Sequence, residues 1–363
     1  MIGDESDRPV SARPRGRGAV SNRSGRFERL ARLAVDDGWD RPEEELPPLR
    51  TELAVDATRT IITRNDSPDI GFDRSINPYR GCEHGCIYCF ARPSHAFLGL
   101  SPGLDFETRL LVKPEAPRLL ARELAKPGYR PAPIAIGTNT DPYQPVEARL
   151  RIMRGVLEVL REARHPVTIV TKGALVERDA DILGEMGRDG LAAVGLSVTT
   201  LDRGLARRME PRAAPPEVRL RAIRRLTAAG CPVWVNMAPI IPALNDMEIE
   251  AVLEAARDAG ALGASYIVLR LPREVAGLFR EWLEAAYPDR AARILSRVRA
   301  MHGGRDYDPE WGRRMKGEGP EAELIARRFA LARRRLGLDR RLPPLDLGRF
   351  RPPVPEGGQL TLF

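Results

Sequence analysis

Cys82, Cys86 and Cys89 fall within eight consecutive positions, spaced by three and then two residues. Thiolates are soft ligands for zinc and iron, and a cubane iron-sulfur cluster takes them at its corners. One short loop wraps three corners when the backbone turns sharply, and Gly81 and Gly85 stand where those turns are needed. The fourth iron then has no protein ligand and is open to a small molecule. The competing reading is a Cys3His zinc site completed by His84 or His95. Structural zinc sites commonly present two C-x2-C pairs, whereas here only Cys86 and Cys89 form one. Cys231, the remaining cysteine, lies between Gly230 and Pro232 at the start of an apolar run and reads as a small core residue. Four cysteines so placed in 363 residues are unlike the even, dispersed set of a secreted disulfide scaffold.

A loop of this kind needs a frame. From residue 50 onward, short β-branched runs alternate with longer stretches of helical period. Strands are expected over 69–76, 134–138, 167–171, 194–199, 233–238 and 266–271, with helices over 116–125, 146–164, 177–188, 216–229 and 247–259. Alternation implies parallel strands joined by right-handed crossovers. In a barrel-like sheet of this type the reactive groups sit at the C-terminal strand ends. The cysteine loop follows the first strand, and polar residues follow the next: Thr140 and Asp141, then Lys172, then Ser197.

Around this core, taken as 49–272, three flanking segments differ in texture. Residues 1–48 form a basic arm without an apolar period, expected to be disordered. Residues 273–340 read as a helical, basic extension, and 341–363 as a proline-rich flexible tail. Hydrophobic residues make up 43% and charged residues 30%, and no apolar run approaches the roughly 20 residues of a membrane helix. The acidic opening lacks the apolar core of a secretory signal, so a cytoplasmic location is expected. A net charge of +8 is compatible with a polyanionic partner and equally with an arginine-rich coding bias.

The CxxxCxxC spacing, with Tyr88 just before the last cysteine, resembles the hallmark of the radical S-adenosylmethionine superfamily. That resemblance implies a partial (β/α)6 TIM-like barrel, a [4Fe-4S] cluster on Cys82, Cys86 and Cys89, and S-adenosyl-L-methionine chelating the open iron. It implies reductive cleavage of the sulfonium and hydrogen abstraction by a 5′-deoxyadenosyl radical. From Ile76 to Leu271 further stretches resemble the spore photoproduct lyase branch, similar to DNA repair photolyases. By that likeness Tyr88, Thr140, Asp141, Lys172, Ser197 and Pro239 hold the cofactor, with Pro239 in an adenine-cradling stretch and Tyr88 also carried as a catalytic candidate. A helix cap or a loop hydrogen bond is the purely structural role open to the polar ones. One position departs: where that branch has a hydrogen-donating cysteine, two residues before Thr140, this chain has Thr138. A threonine O–H bond is too strong to replace a thiol.

The stretch 356–363 carries Gln359, Leu360, Leu362 and Phe363, which resembles the linear motif that docks bacterial repair proteins on the DNA polymerase sliding clamp. The reading that unites these features is a radical enzyme acting on a nucleic acid lesion or modified base. It would be served by a reductant protein such as flavodoxin or ferredoxin. The alternatives are a radical enzyme for a small metabolite, peptide or RNA, and a non-catalytic Fe-S or zinc binding module.

Overall fold

In the computed structural model the described residues are 16–28, 49–340 and 342–353; the clamp-like stretch 356–363 lies outside them. Six parallel strands form the frame: β1 (Arg74–Ile76), β2 (Ile134–Ile136), β3 (Val167–Thr171), β4 (Ala192–Ser197), β5 (Val233–Ile240) and β6 (Gly263–Val268). They lie side by side in sequence order, and Ile62–Arg64 adds antiparallel to the outer edge of β1. This is the expected α/β architecture, an open (β/α)6 half-barrel. The register runs Arg74 opposite Ile134, Ile134 opposite Val167, and Val167 opposite Ala192.

The crossovers are α1 (Ala116–Leu124), α2 (Ile152–Glu162), α3 (Ala180–Arg188), α4 (Pro216–Ala228) and α5 (Ile249–Asp258). Each presents an apolar stripe to the sheet: Val156, Leu157 and Leu160 of α2 are wholly buried with Val167 and Ile169 of β3. The long helix expected over 146–164 is broken. Glu147–Leu150 forms one turn, Arg151 adopts φ 53°, and α2 restarts. The Glu147 carboxylate causes the restart by accepting from Ile152 N and Met153 N, 3.1 Å each, as an N-terminal cap does. The first strand is shorter than expected because Asn65 ties a turn before it, accepting from Ser67 N and donating to Phe72 O.

Beyond β6 come α6 (Glu274–Ala286), α7 (Pro288–Ala300) and α8 (Gly319–Arg335). The last packs onto the barrel: Phe329 meets Tyr266 of β6 at 4.6 Å, and Arg328 pairs with Glu250 of α5. The loop between α7 and α8 reaches the open edge of the sheet, where Met315 O accepts from Val268 N at 2.9 Å.

Two expectations for the flanks are corrected within the described residues. Part of the basic arm, 16–28, is seated on the body: Ala19 and Val20 are buried, and Arg17 donates to Glu107 O at 2.7 Å. Part of the proline-rich tail, 342–353, is docked too. Phe350 sits 5.4 Å from both Tyr129 and His165, and Arg351 N donates to Ala163 O. In both places a few apolar or hydrogen-bonding residues anchor a stretch whose composition is otherwise polar.

Candidate active site

The C-terminal ends of the six strands surround a cavity of about 560 Å³. The cluster and cofactor candidates named from the sequence all line it: Cys82, Cys86, Cys89 and Tyr88 from the cysteine loop, Thr140 and Asp141 after β2, Lys172 after β3, Ser197 ending β4, and Pro239 on β5. Cys231 does not: it is 1% exposed in the main core, and burial pushes its thiol up to about 12.

The cysteine loop takes its shape from contacts on all sides. Gly81 and Gly85 hold positive φ, 79° and 66°. A Cβ on Gly81 would lie 2.6 Å from Leu110 Cδ2, and one on Gly85 2.7 Å from Glu107 Oε2, so neither turn admits a side chain. Arg92, fully buried, donates to the carbonyls of Cys86, Pro102 and Gly103 and pairs with Glu107 at 2.5 Å. The other lone pairs of Glu107 accept from Gly18 N and Ala19 N, 2.9 Å each, so the N-terminal segment lies directly on the loop. Gln144 accepts from Glu83 N and donates to Gly81 O. No local signal marked Arg92, Glu107 or Gln144: Arg92 gathers partners from around its own loop, and Glu107 and Gln144 take theirs from distant parts of the chain.

All three thiols are buried deeply enough that desolvation raises their pKa values, with neighbouring carboxylates adding to the rise at Cys82 and Cys86. Ligation to iron reverses this by replacing the proton with a cation. The donor set fits a cluster better than a single ion. Among the described residues no three His, Cys, Asp or Glu side chains converge as one metal ion requires. A cubane gives each thiolate its own iron and needs no such convergence. His95 Nε2 lies 2.8 Å from Arg109 O, and its Nδ1 is buried without a hydrogen-bond partner.

Thr140 and Asp141 serve the protein's own backbone. The Thr140 hydroxyl donates to Tyr79 O at 2.8 Å. Asp141 accepts from Tyr143 N, Thr171 Oγ1 and Lys172 N, and its Oδ2 lies 3.3 Å from His84 Nδ1. Burial opposes its ionisation, but His84 and these hydrogen bonds outweigh that and hold the carboxyl at about 2. Asp141 thereby locks the ends of β2 and β3 together. Lys172 projects its ammonium 5.7 Å from the Tyr88 ring centroid.

Tyr88 donates to Glu210, which also accepts from Thr199 Oγ1 at 3.0 Å and pairs with Arg219. Arg219 in turn donates to Ser197 O at 2.9 Å. Glu210 and Arg219 are 2% and 1% exposed, so the chain links the cysteine loop to the end of β4 through a buried ion pair. Burial works against the Glu210 charge, yet Arg219 and Lys172 keep it below the ordinary carboxylate value. The sequence contained no motif for either residue. Apolar side chains also line the cavity, Ile70, Phe72, Phe90, Ile267 and Met315 among them, together with Arg270 and Arg314.

The Radical SAM superfamily model matches residues 76–256. Uncharacterized proteins of Mycobacterium bovis and Mycobacterium tuberculosis are 35% identical over 296 residues, covering 80% of this chain and 82% of theirs. An uncharacterized protein of Methanocaldococcus jannaschii is 27% identical over 214 residues, 59% of this chain and 76% of that one. Spore photoproduct lyase complexed with dinucleoside spore photoproduct aligns at TM-score 0.54 and 15% identity over 78% of each chain. A mutant of that lyase with bound AdoMet and the dinucleoside aligns at 0.53, 14% and the same coverage. At such identity the structural likeness establishes a common fold. The matched span opens on the last residue of β1 and closes within α5, enclosing the cysteine loop and five of the six strand ends, and the chain belongs to the Radical SAM superfamily.

Proposed function

We propose that this protein is a radical enzyme acting on a nucleic acid lesion or modified base. The observation that carries the reading is the convergence of three cysteines, the polar strand ends and a set of apolar side chains on one cavity. Bound to Cys82, Cys86 and Cys89, a [4Fe-4S] cluster with S-adenosyl-L-methionine supplies reductive sulfonium cleavage and a 5′-deoxyadenosyl radical. The protein's share is positional. Lys172 offers its ammonium to the methionine carboxylate, Ser197 its hydroxyl to the ribose, and Pro239 packs beside the adenine. Thr140 and Asp141 hold the strand-end loops at the methionine end. Tyr88, engaged by Glu210, holds its ring in the cavity wall rather than offering a free hydroxyl. Ile70, Phe72 and Ile267 keep water from the space where hydrogen is abstracted.

The nucleic-acid part rests on the cations and aromatic rings of the substrate wall and on the fold shared with a lyase solved with a dinucleoside photoproduct. The substrate differs from that photoproduct. Thr138 lines the cavity where the lyase branch places its thiol hydrogen donor, and Cys231 lies in the core instead. The reading includes electron delivery by a flavodoxin or ferredoxin. It also includes tethering to a sliding clamp through Gln359, Leu360, Leu362 and Phe363, which pull-down with L362A/F363A tests. The central test is anaerobic reconstitution, dithionite reduction with S-adenosyl-L-methionine, and assay of 5′-deoxyadenosine. Cleavage that requires Cys86 is the expected result; a full cluster that cleaves nothing overturns the proposal.

A further inference from the structure

Among the described residues, the cavity wall holds a cation without a direct ion pair. Arg270, two residues beyond β6, lines the cavity with its guanidinium 4.5 Å from the Phe90 ring centroid. Among the described residues no carboxylate lies within ion-pair distance of it and no hydrogen bond reaches it. The carboxylate beside this part of the wall, Asp69, is already engaged by Arg314 at 2.5 Å and Gly312 N at 2.7 Å. Burial pulls the Arg270 pKa down, helped by the like charge of Arg314 and only partly offset by Tyr307, Asp69 and Cys89. A partly desolvated guanidinium left unpaired costs free energy that an incoming anion returns. Phe90 is 45% exposed, so part of its ring is open to a ligand in the cavity. A planar ring packed against it adds stacking to the charge interaction.

We infer that Arg270 and Phe90 form the substrate anchor of this cavity: Arg270 receives a backbone phosphate of a nucleic acid strand while Phe90 packs against the adjoining base. The inference rests on the nucleic-acid reading above and adds the groups by which the strand is held. Arg270 is the only contributor required to carry charge, since Phe90 supplies contact area and Arg314 is neutralised by Asp69.

The full-length reconstituted protein, with S-adenosyl-L-methionine present, is titrated into a fluorescein-labelled single-stranded DNA ten-mer and followed by anisotropy, with thymidine 5′-monophosphate as a separate probe. R270A is expected to weaken ten-mer binding roughly 10- to 100-fold, the usual loss for a hydrogen bond to a charged group, and R270K to recover part of it. F90A is expected to weaken it several-fold. A ten-mer with uncharged methylphosphonate linkages is expected to bind the native protein and R270A alike. Iron content and melting temperature show whether each variant is folded. Equal ten-mer binding by native protein and folded R270A overturns the inference while leaving the nucleic-acid reading intact. Binding of the mononucleotide alone, dependent on Arg270, keeps the anion anchor and overturns the polynucleotide reading; binding of neither probe overturns both.

Discussion

The carboxylate of Glu107 and the guanidinium of Arg92 meet at 2.5 Å with both side chains fully buried, and between them they hold the loop that carries the three cysteines. The pair also receives Gly18 N and Ala19 N from a segment about 90 residues earlier, so the cysteine loop is clamped from both faces.

Removing one member of such a pair leaves a buried charge without its partner. Arg92→Met is expected to cost about 3 to 5 kcal/mol in urea denaturation, well above the loss from an exposed pair such as Arg118 and Glu115. It should also speed loss of iron to a chelator, because the Cys86 carbonyl loses its donor. A small change in both measurements would show that the loop does not depend on this clamp.

Gly18 offers a sharper test of the same contact. A Cβ built there falls 1.7 Å from Gly85 O, between Cys82 and Cys86. Gly18→Ala must displace one segment from the other and is expected to destabilise the protein by about 1 to 3 kcal/mol. Gly16→Ala faces no atom within 4 Å, but φ 73° makes it strained, so its smaller cost separates backbone strain from collision.

Cys231→Ala is expected to keep the full iron content and S-adenosyl-L-methionine cleavage while losing about 1 kcal/mol from a small core cavity. Cys86→Ala should lose both iron and cleavage. Iron and sulfide analysis of the two proteins side by side distinguishes the roles.

The buried link from Tyr88 to Arg219 predicts unequal effects. Tyr88→Phe removes one hydrogen bond and leaves Glu210 paired, for about 1 kcal/mol. Glu210→Ala strands the Arg219 cation in the interior and is expected to cost several times more, measured by denaturant midpoint.

His165 predicts a pH dependence. Burial lowers its pKa from the ordinary 6.5 to about 4, against the opposing pull of its contact with Pro166 O. The unfolded chain therefore takes up this proton near pH 6.5 and the folded chain only near 4. Stability is complete above that window and falls as pH drops through it, by up to about 3 kcal/mol for the full shift. In His165→Asn this component of the pH profile should vanish. The same change loosens the packing of Phe350, so protease cleavage within 342–353 should accelerate.

The local chemistry was legible in the sequence. The three-then-two cysteine spacing with glycines beside it, the six β-branched runs and the polar residues closing three of them sufficed for the half-barrel and for one end of its cavity. Those signals are short-range: a turn, a strand period and a helix stripe each depend on residues within a few positions of one another. The helix break at Arg151 was hidden because the capping carboxylate, Glu147, reads like any surface glutamate until its partners are placed.

Tertiary structure alone decided which charges are buried and with whom. Arg92 with Glu107, Glu210 with Arg219, and Arg17 against the Glu107 backbone are ordinary charged residues in the sequence, and the free energy that selects each partner exists only where folding has removed water. It also decided the opposite case, in which Arg270 lines the cavity against the Phe90 ring without an ion pair among the described residues. Composition can count the arginines, but whether one of them is neutralised or left facing a ligand depends on distances between strand ends, and those are set by the order and register of the strands in the sheet.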